Sequence, residues 1–169
     1  MTADMEYNIE NLKIRLLTAD DGEKVRVFFS KLGEEGTHFF NRGHGNENRT
    51  IDFCDGKLPD HIFWAAVHET GGEEEIVGIV FLWDRFSMIP WLGIGINAEW
   101  KGRHLGRRLI AAAREYCEDI GAGGILLTTD QKNVRGQGLY ERCGFEKLGV
   151  HLCGEFQYLL RFDNKKVNE

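Results

Sequence analysis

The run from Trp91 to Leu109 sets the strongest limit on how this chain can fold. An apolar segment stops at Asn97, a short polar turn carries Lys101, Gly102, Arg103 and His104, and a helical pattern begins at Leu105. Leu105, Leu109, Ala113, Cys117 and Ile120 recur at helical spacing, with Arg107, Arg108, Arg114, Glu115, Glu118 and Asp119 over the remaining surface. Gly121 is placed to close that helix. A strand, a basic glycine-containing loop and a helix make a junction that suits an anion. The first helical turn has amides without intrahelical partners, and the macrodipole adds about half a positive charge there. Lys101, Arg103, Arg107 and Arg108 add side-chain cations, and Gly102 and Gly106 let backbone approach a ligand closely. A pyrophosphate fits such a junction. A solvated basic helix start explains the same run when it is taken alone.

That positive charge is local. The chain has 169 residues, and 21 Lys and Arg against 27 Asp and Glu leave a net charge of −6. This balance favours a small anionic ligand over long nucleic acid. The length fits one domain over residues 1–169, with 1–10 and 164–169 as loose termini. No apolar run approaches the length of a membrane span, and the N-terminus has no secretory pattern. Cys54, Cys117, Cys143 and Cys153 form no close pair, so they read as reduced thiols of a cytoplasmic protein. The glycosylation sequon at Asn48-Arg49-Thr50 carries no weight without secretion. His38, His44, His61, His68, His104 and His151 lack metal-ligand spacing, so no metal is expected. Gly93-Ile94-Gly95-Ile96-Asn97-Ala98 fits the dinucleotide fingerprint in letters only, because its glycines lie inside the apolar run. No P-loop is present.

Along the chain, Leu12–Leu17 alternates as a strand should, and Thr18 to Asp21 offers helix-start chemistry. Val25, Phe28, Phe29 and Leu32 form a helical stripe ended by Gly33. Glu34 to Asp60 is the least regular stretch, with a short helix expected at Thr50–Cys54. Phe39 and Phe40 there either line a cleft or anchor a loop. His61–His68 and Ile76–Trp83 make a hairpin around an acidic turn at Thr70–Glu75. Trp91–Ile96 and Gly124–Thr129 are strands, Val134–Arg142 is a glycine-weakened helix, and Gly149–Gly154 with Glu155–Phe162 close the chain as strands. The order predicts an antiparallel front joined to one parallel crossover.

The second informative run is Asn133-Val134-Arg135-Gly136-Gln137-Gly138-Leu139-Tyr140, continuing to Gly144-Phe145. Two glycines in so short a helix cost roughly 1 kcal/mol each against alanine, which suggests close packing on that turn. Tyr140 lies two helical turns past Asn133, so both project to one side. A core tyrosine with a satisfied hydroxyl is the plain alternative.

Together the two runs resemble the GNAT superfamily of N-acetyltransferases. Its pattern is a strand, a Gln/Arg-x-x-Gly-x-Gly/Ala loop and a helix, followed by Asn-x-x-Ala-x-x-Leu-Tyr-x-x-x-Gly-Phe. Lys101 to Gly106 stands for the first part, and Asn133, Gly136, Leu139, Tyr140, Gly144 and Phe145 for the second. Two positions depart. Lys101 keeps charge but loses the planar fork, and His104 replaces a loop glycine, which calls for a negative φ. The resemblance implies an α+β GNAT fold: a mixed, mostly antiparallel central sheet flanked by helices, with acyl-CoA at the strand–loop–helix junction. It also implies an acetyl-CoA site with Lys101, Gly102, Arg103, His104, Leu105, Gly106 and Arg107 around the pyrophosphate. Ile94 and Ile96 would pair with the pantetheine arm, Asn133 and Gly136 would line its other side, and Tyr140 would protonate the departing thiolate.

The implied reaction is acetyl transfer to a primary amine of a small molecule, peptide or protein, with no metal, nucleic acid or membrane involved. A homodimer is compatible with it. Relatives often carry a glutamate base on the strand before the loop, but here Trp91 occupies that region, leaving Asp84, Glu99 and His38 as candidates. That gap keeps open an inactive CoA-binding regulatory module. A nucleic-acid-binding domain using the Lys101–Arg108 patch is the other rival. Arg42 and Arg49 hint at an acceptor bearing a carboxylate.

Overall fold

The computed structural model describes residues 9–163; the proposed loose ends fall almost wholly outside them. The chain builds one seven-stranded sheet in the order β1-β2-β3-β4-β5-β7-β6. Its strands are β1 (Leu12–Leu16), β2 (Ile62–Thr70), β3 (Glu73–Trp83), β4 (Trp91–Ile96), β5 (Gly124–Thr129), β6 (Glu146–Val150) and β7 (Phe156–Arg161). The helices are α1 (Gly22–Ser30), α2 (Gly33–Phe40), α3 (Gly45–Cys54), α4 (Leu105–Asp119) and α5 (Val134–Arg142). Neighbouring strands are antiparallel except β4 and β5, which run parallel through the α4 crossover. The architecture is the α+β mixed sheet that the resemblance implies. Among the described residues no helix is long and apolar enough to cross a membrane.

Both faces of the sheet are covered, which is why its central strands read as unbroken apolar runs. On one face Leu105, Leu109, Ala113 and Cys117 of α4 meet Val80, Leu82, Leu92 and Ile125. On the other, Val25, Phe28 and Phe29 of α1 pack on Phe63, Ala65, Val67 and Phe81. Burying a side chain such as Leu109 contributes about 2 kcal/mol. Ile120 does not join the α4 stripe. It caps the helix beyond Asp119 and is 49% exposed.

Several boundaries differ from the sequence expectation. Gly33 does not end α1, which stops at Ser30; at φ +81° it starts α2 instead. The stretch from Glu34 to Asp60 holds α2 and a longer α3 than expected, because polar faces and glycines blur the apolar periodicity there. The hairpin turn shrinks to Gly71-Gly72, both at positive φ, which gives a two-residue connection matched to strand twist. The first closing strand is Glu146–Val150, and most of Gly149–Gly154 is turn. All five β6 residues are exposed at the sheet edge, so they offer no alternation to read.

One irregularity positions the site. β4 pairs with β3 along its whole length, yet meets β5 at a single register pair, Trp91 with Leu126. Leu126 N–H donates to Pro90 O at 2.9 Å, and Asn97 N–H donates to Val77 O at 3.0 Å. Backbone groups alternate sides along a strand, so those of Leu92, Ile94 and Ile96 face β5. Beyond Trp91 the strands part, and the backbone of Ile94 and Ile96 opens onto the gap.

Candidate active site

The gap forms a cavity of about 410 Å³ between β4, the loop before α4, α2 and α5. Ile94, Ile96, Lys101, Gly102, His104, Leu105, Gly106, Arg107, Asn133, Gly136 and Tyr140 all line it. Arg103 does not; its guanidinium lies over the Trp100 ring, 4.7 Å from the centroid. Arg108 also turns away, toward a groove beside β1 and β2, and its Nη1 is buried without a hydrogen-bond partner. The basic run therefore divides, and only part of it faces the cavity.

The β4 glycines follow from packing. A Cβ on Gly93 would sit 2.5 Å from Phe81 Cζ, and one on Gly95 would overlap the Phe40 ring. The two rings meet at 49° with centroids 6.3 Å apart, and Phe40 also forms part of the cavity wall. Phe39 and Phe40 thus line a cleft, while Phe40 stacks on Phe29 as well.

At the other end of β4 the loop turns through Gly102 at φ +78° and His104 at φ +61°. The negative φ expected for His104 is incorrect: the histidine takes the left-handed conformation to bring the chain into α4. Amides of a first helical turn have no intrahelical partner, and Leu105, Gly106 and Arg107 of that turn of α4 line the cavity. Lys101 Nζ reaches Glu35 Oε1 of α2 at 3.7 Å and ties the loop to the opposite wall.

On α5, Asn133 is the N-cap. Its Oδ1 accepts from Gly136 N–H at 3.1 Å, and its Nδ2 donates to Thr129 Oγ1 at 3.1 Å. A Cβ at Gly136 would collide with the Asn133 amide, so the helix-weakening glycine makes room for its own cap. Tyr140 is buried between Phe145 and Tyr158. Burial pushes its pKa above the ordinary phenol value, the Glu155 charge adds to that, and the Thr129 hydroxyl opposes it. Arg135 and Arg142 also line the cavity, one at each end of α5. Their seven-residue separation, parallel to that of Asn133 and Tyr140, is the signal that sequence reasoning passes over.

No carboxylate stands on β4. Trp91 stacks on Trp83 with ring centroids 5.8 Å apart and meets His151 edge-on. Asp84, Glu99 and His38 line neither this cavity nor the one beside it. Glu155 does line the neighbouring cavity, and its Oε1 accepts from Thr128 Oγ1 at 2.9 Å. Among the described residues no cluster of His, Cys, Asp and Glu is arranged to hold a metal ion.

Residues 28–145 match the family model described as Acetyltransferase (GNAT) family. The mycothiol acetyltransferase of Rhodococcus erythropolis is 32% identical over 89 residues, 53% of this chain and 26% of that protein. The chain spans about a quarter of the length of such curated relatives. An uncharacterized N-acetyltransferase of Bacillus subtilis, YhfO, is 28% identical over 152 residues, 84% of this chain and 96% of that protein. Among solved structures, the PaiA N-acetyltransferase of Thermoplasma acidophilum in complex with coenzyme A superposes with a TM-score of 0.72 at 15% identity, covering 89% of this chain and 99% of that one. The GNAT domain of S. lividans PAT gives 0.74 at 14%, covering 89% and 90%. At such identities the structural likeness speaks for the fold. With the family model spanning residues 28–145, the chain belongs to the GNAT family of acetyltransferases.

Proposed function

We propose that this chain transfers the acetyl group of acetyl-CoA to a primary amine of a small molecule, peptide or protein, by direct attack of the amine on the thioester. One observation carries the proposal: the β4 edge at Ile94 and Ile96, beyond its last pair with β5, lines the same cavity as the first turn of α4 and the buried Tyr140. An extended amide-bearing arm, an anion and a sulphur leaving group are the guests that such a combination suits.

In this proposal the backbone of Ile94 and Ile96 pairs with the pantetheine arm as an added strand would, and one N–H polarises the thioester carbonyl. Amides of the Arg103–Arg107 segment hold the pyrophosphate at the α4 N-terminus, with Lys101 and Arg107 as the flanking cations. Gly102, His104, Leu105 and Gly106 shape that turn, while Asn133 and Gly136 form the facing wall. The amine nitrogen bonds to the carbonyl carbon, the C–S bond breaks, and Tyr140 donates its proton to the thiolate. The amine gives up one proton in exchange, to solvent or to a nearby carboxylate. The free state of all four cysteines fits a reducing, cytoplasmic setting on the same footing.

The test is thiol release from acetyl-CoA over a panel of amines and peptides. Amine-dependent release with an acetylated product is expected. Binding of acetyl-CoA without turnover on any amine would favour the inactive CoA-binding module instead.

A further inference from the structure

Beside the coenzyme cleft lies a second cavity of about 670 Å³, and the two share a wall made by Phe39 and Phe40. Its other sides come from Arg49 on α3, the β5–α5 loop with Asp130, and the turn into β7 with Glu155. Most of its charges already have partners. Arg42 pairs with Asp130 at 3.4 Å, and Glu155 accepts from Thr128.

Arg49 differs. Its guanidinium lies over the rings of Phe81 and Trp83, 5.5 and 5.3 Å from their centroids. Among the described residues no carboxylate stands within ion-pair distance of it. Asp60 acts on it only from farther off, and the Asp60 carboxylate is itself engaged by His61 Nδ1 at 2.8 Å. Burial depresses the Arg49 pKa, the mark of a cation that has lost hydration without gaining a contact partner. Two aromatic faces fix the plane of the fork and leave its N–H edge for a planar anion.

We infer that this second cavity is the acceptor pocket, and that it selects an amine carrying a carboxylate, which Arg49 binds. The inference rests on the acetyl-transfer proposal above. Arg49 takes the carboxylate in paired charge-assisted hydrogen bonds, which a carboxylate geometry matches better than a single point charge does. Glu155, the carboxylate whose charge reaches Tyr140, lies across the same cavity and receives the amino end of the acceptor. An ammonium there passes one proton to Glu155 and its nitrogen then attacks; as the C–S bond breaks Tyr140 protonates the thiolate, and the second proton shed by the nitrogen returns through solvent to the Tyr140 phenolate, so protons and charge balance. Of the two arginines that the sequence offers for such a role, Arg42 is held by Asp130 and Arg49 is left.

Matched amines assayed with saturating acetyl-CoA test this: 4-aminobutyrate against propylamine, β-alanine against ethylamine, and a dipeptide against its C-terminal amide. The carboxylate-bearing member is expected to have the higher kcat/KM, by roughly tenfold to a hundredfold in the best pair. Arg49→Met is expected to erase that preference through KM, the carboxylate-bearing member of each pair losing far more kcat/KM than its carboxylate-free partner; Arg49→Lys should retain part of it. Equal or better turnover of the carboxylate-free member in every pair overturns the assignment. So does an equal loss for both members in Arg49→Met, or preference for O-phosphoethanolamine over every carboxylate. If Arg49→Met fails to fold, the wild-type comparison still decides. Calorimetric titration with acetyl-CoA separates the two proposals. Heat of binding and amine turnover with no carboxylate preference remove only the acceptor assignment, whereas absence of binding, or binding with no amine turned over, removes acetyl transfer itself.

Discussion

Tyr140 shows how the surroundings of one side chain decide what it can do. Proton donation needs the neutral phenol, and burial raises the Tyr140 pKa, so the competent form persists to higher pH than for a free tyrosine. Tyr140→Phe is expected to lower kcat about a hundredfold while acetyl-CoA affinity stays within about twofold. Wild-type kcat should show no descending limb from this phenol up to about pH 10. Unchanged turnover in the Phe variant would falsify the proton-donor role. Asn133, Gly136 and Tyr140 are legible in the sequence because one local spacing places them on two turns of one helix. His104 is not, since the steric rule favouring negative φ gives way to the path that the loop must follow into α4. Glu155 leaves no local trace either. The pairing of β7 with β5 brings it to Thr128 and toward Tyr140.

At the scale of elements, the close approach of α2 to β4 depends on a missing methyl group. A Cβ at Gly95 would overlap the Phe40 ring, which walls both cavities. Gly95→Ala is therefore expected to destabilise the fold by about 1–3 kcal/mol and to weaken acetyl-CoA binding as Phe40 is displaced. Urea denaturation and calorimetry measure the two effects; wild-type values for both would contradict this packing account. The joint between β1 and α1 depends on charge. Asp21 is buried, accepts from Arg15 Nη1 and Nη2 at 2.8 and 2.9 Å, and caps its turn through Thr18. Burial alone would raise its pKa, but the Arg15 and Thr18 hydrogen bonds and the Arg15 charge hold it below the ordinary value. A depressed folded pKa gives stability that is present above the unfolded value of about 3.9 and is lost as pH falls through the folded one. Asp21→Asn is expected to cost about 3 kcal/mol at neutral pH and to flatten that acid-side loss. Equal stability of variant and wild type at pH 7 would show the pair to be dispensable. The ends of β4, β5 and α5 are legible because apolar runs there stop at clear turn or cap residues. α2 and β6 are not, since one mixes glycines with aromatics and the other is an exposed edge.

Across the whole molecule, the site exists because a continuous sheet comes apart at one place. The five antiparallel junctions pair their strands over several residues each, whereas the parallel junction of β4 with β5 has one register pair, Trp91 with Leu126. The basic loop and the parallel crossover are both visible in the sequence, and so is the local concentration of positive charge in a chain of net charge −6. The divergence of β4 from β5 is not visible, because the residues flanking the gap are as apolar as those of a fully paired strand. Nor does the sequence show that Arg103 and Arg108 turn away from the cleft. The most direct measurement is a crystal structure of the chain grown with coenzyme A. The account predicts the pantetheine arm hydrogen-bonded to the Ile94 and Ile96 backbone, the pyrophosphate at the first turn of α4, and the sulphur within reach of the Tyr140 hydroxyl. Coenzyme A bound elsewhere on the sheet, or β4 and β5 closed on each other with the cofactor excluded, would contradict it.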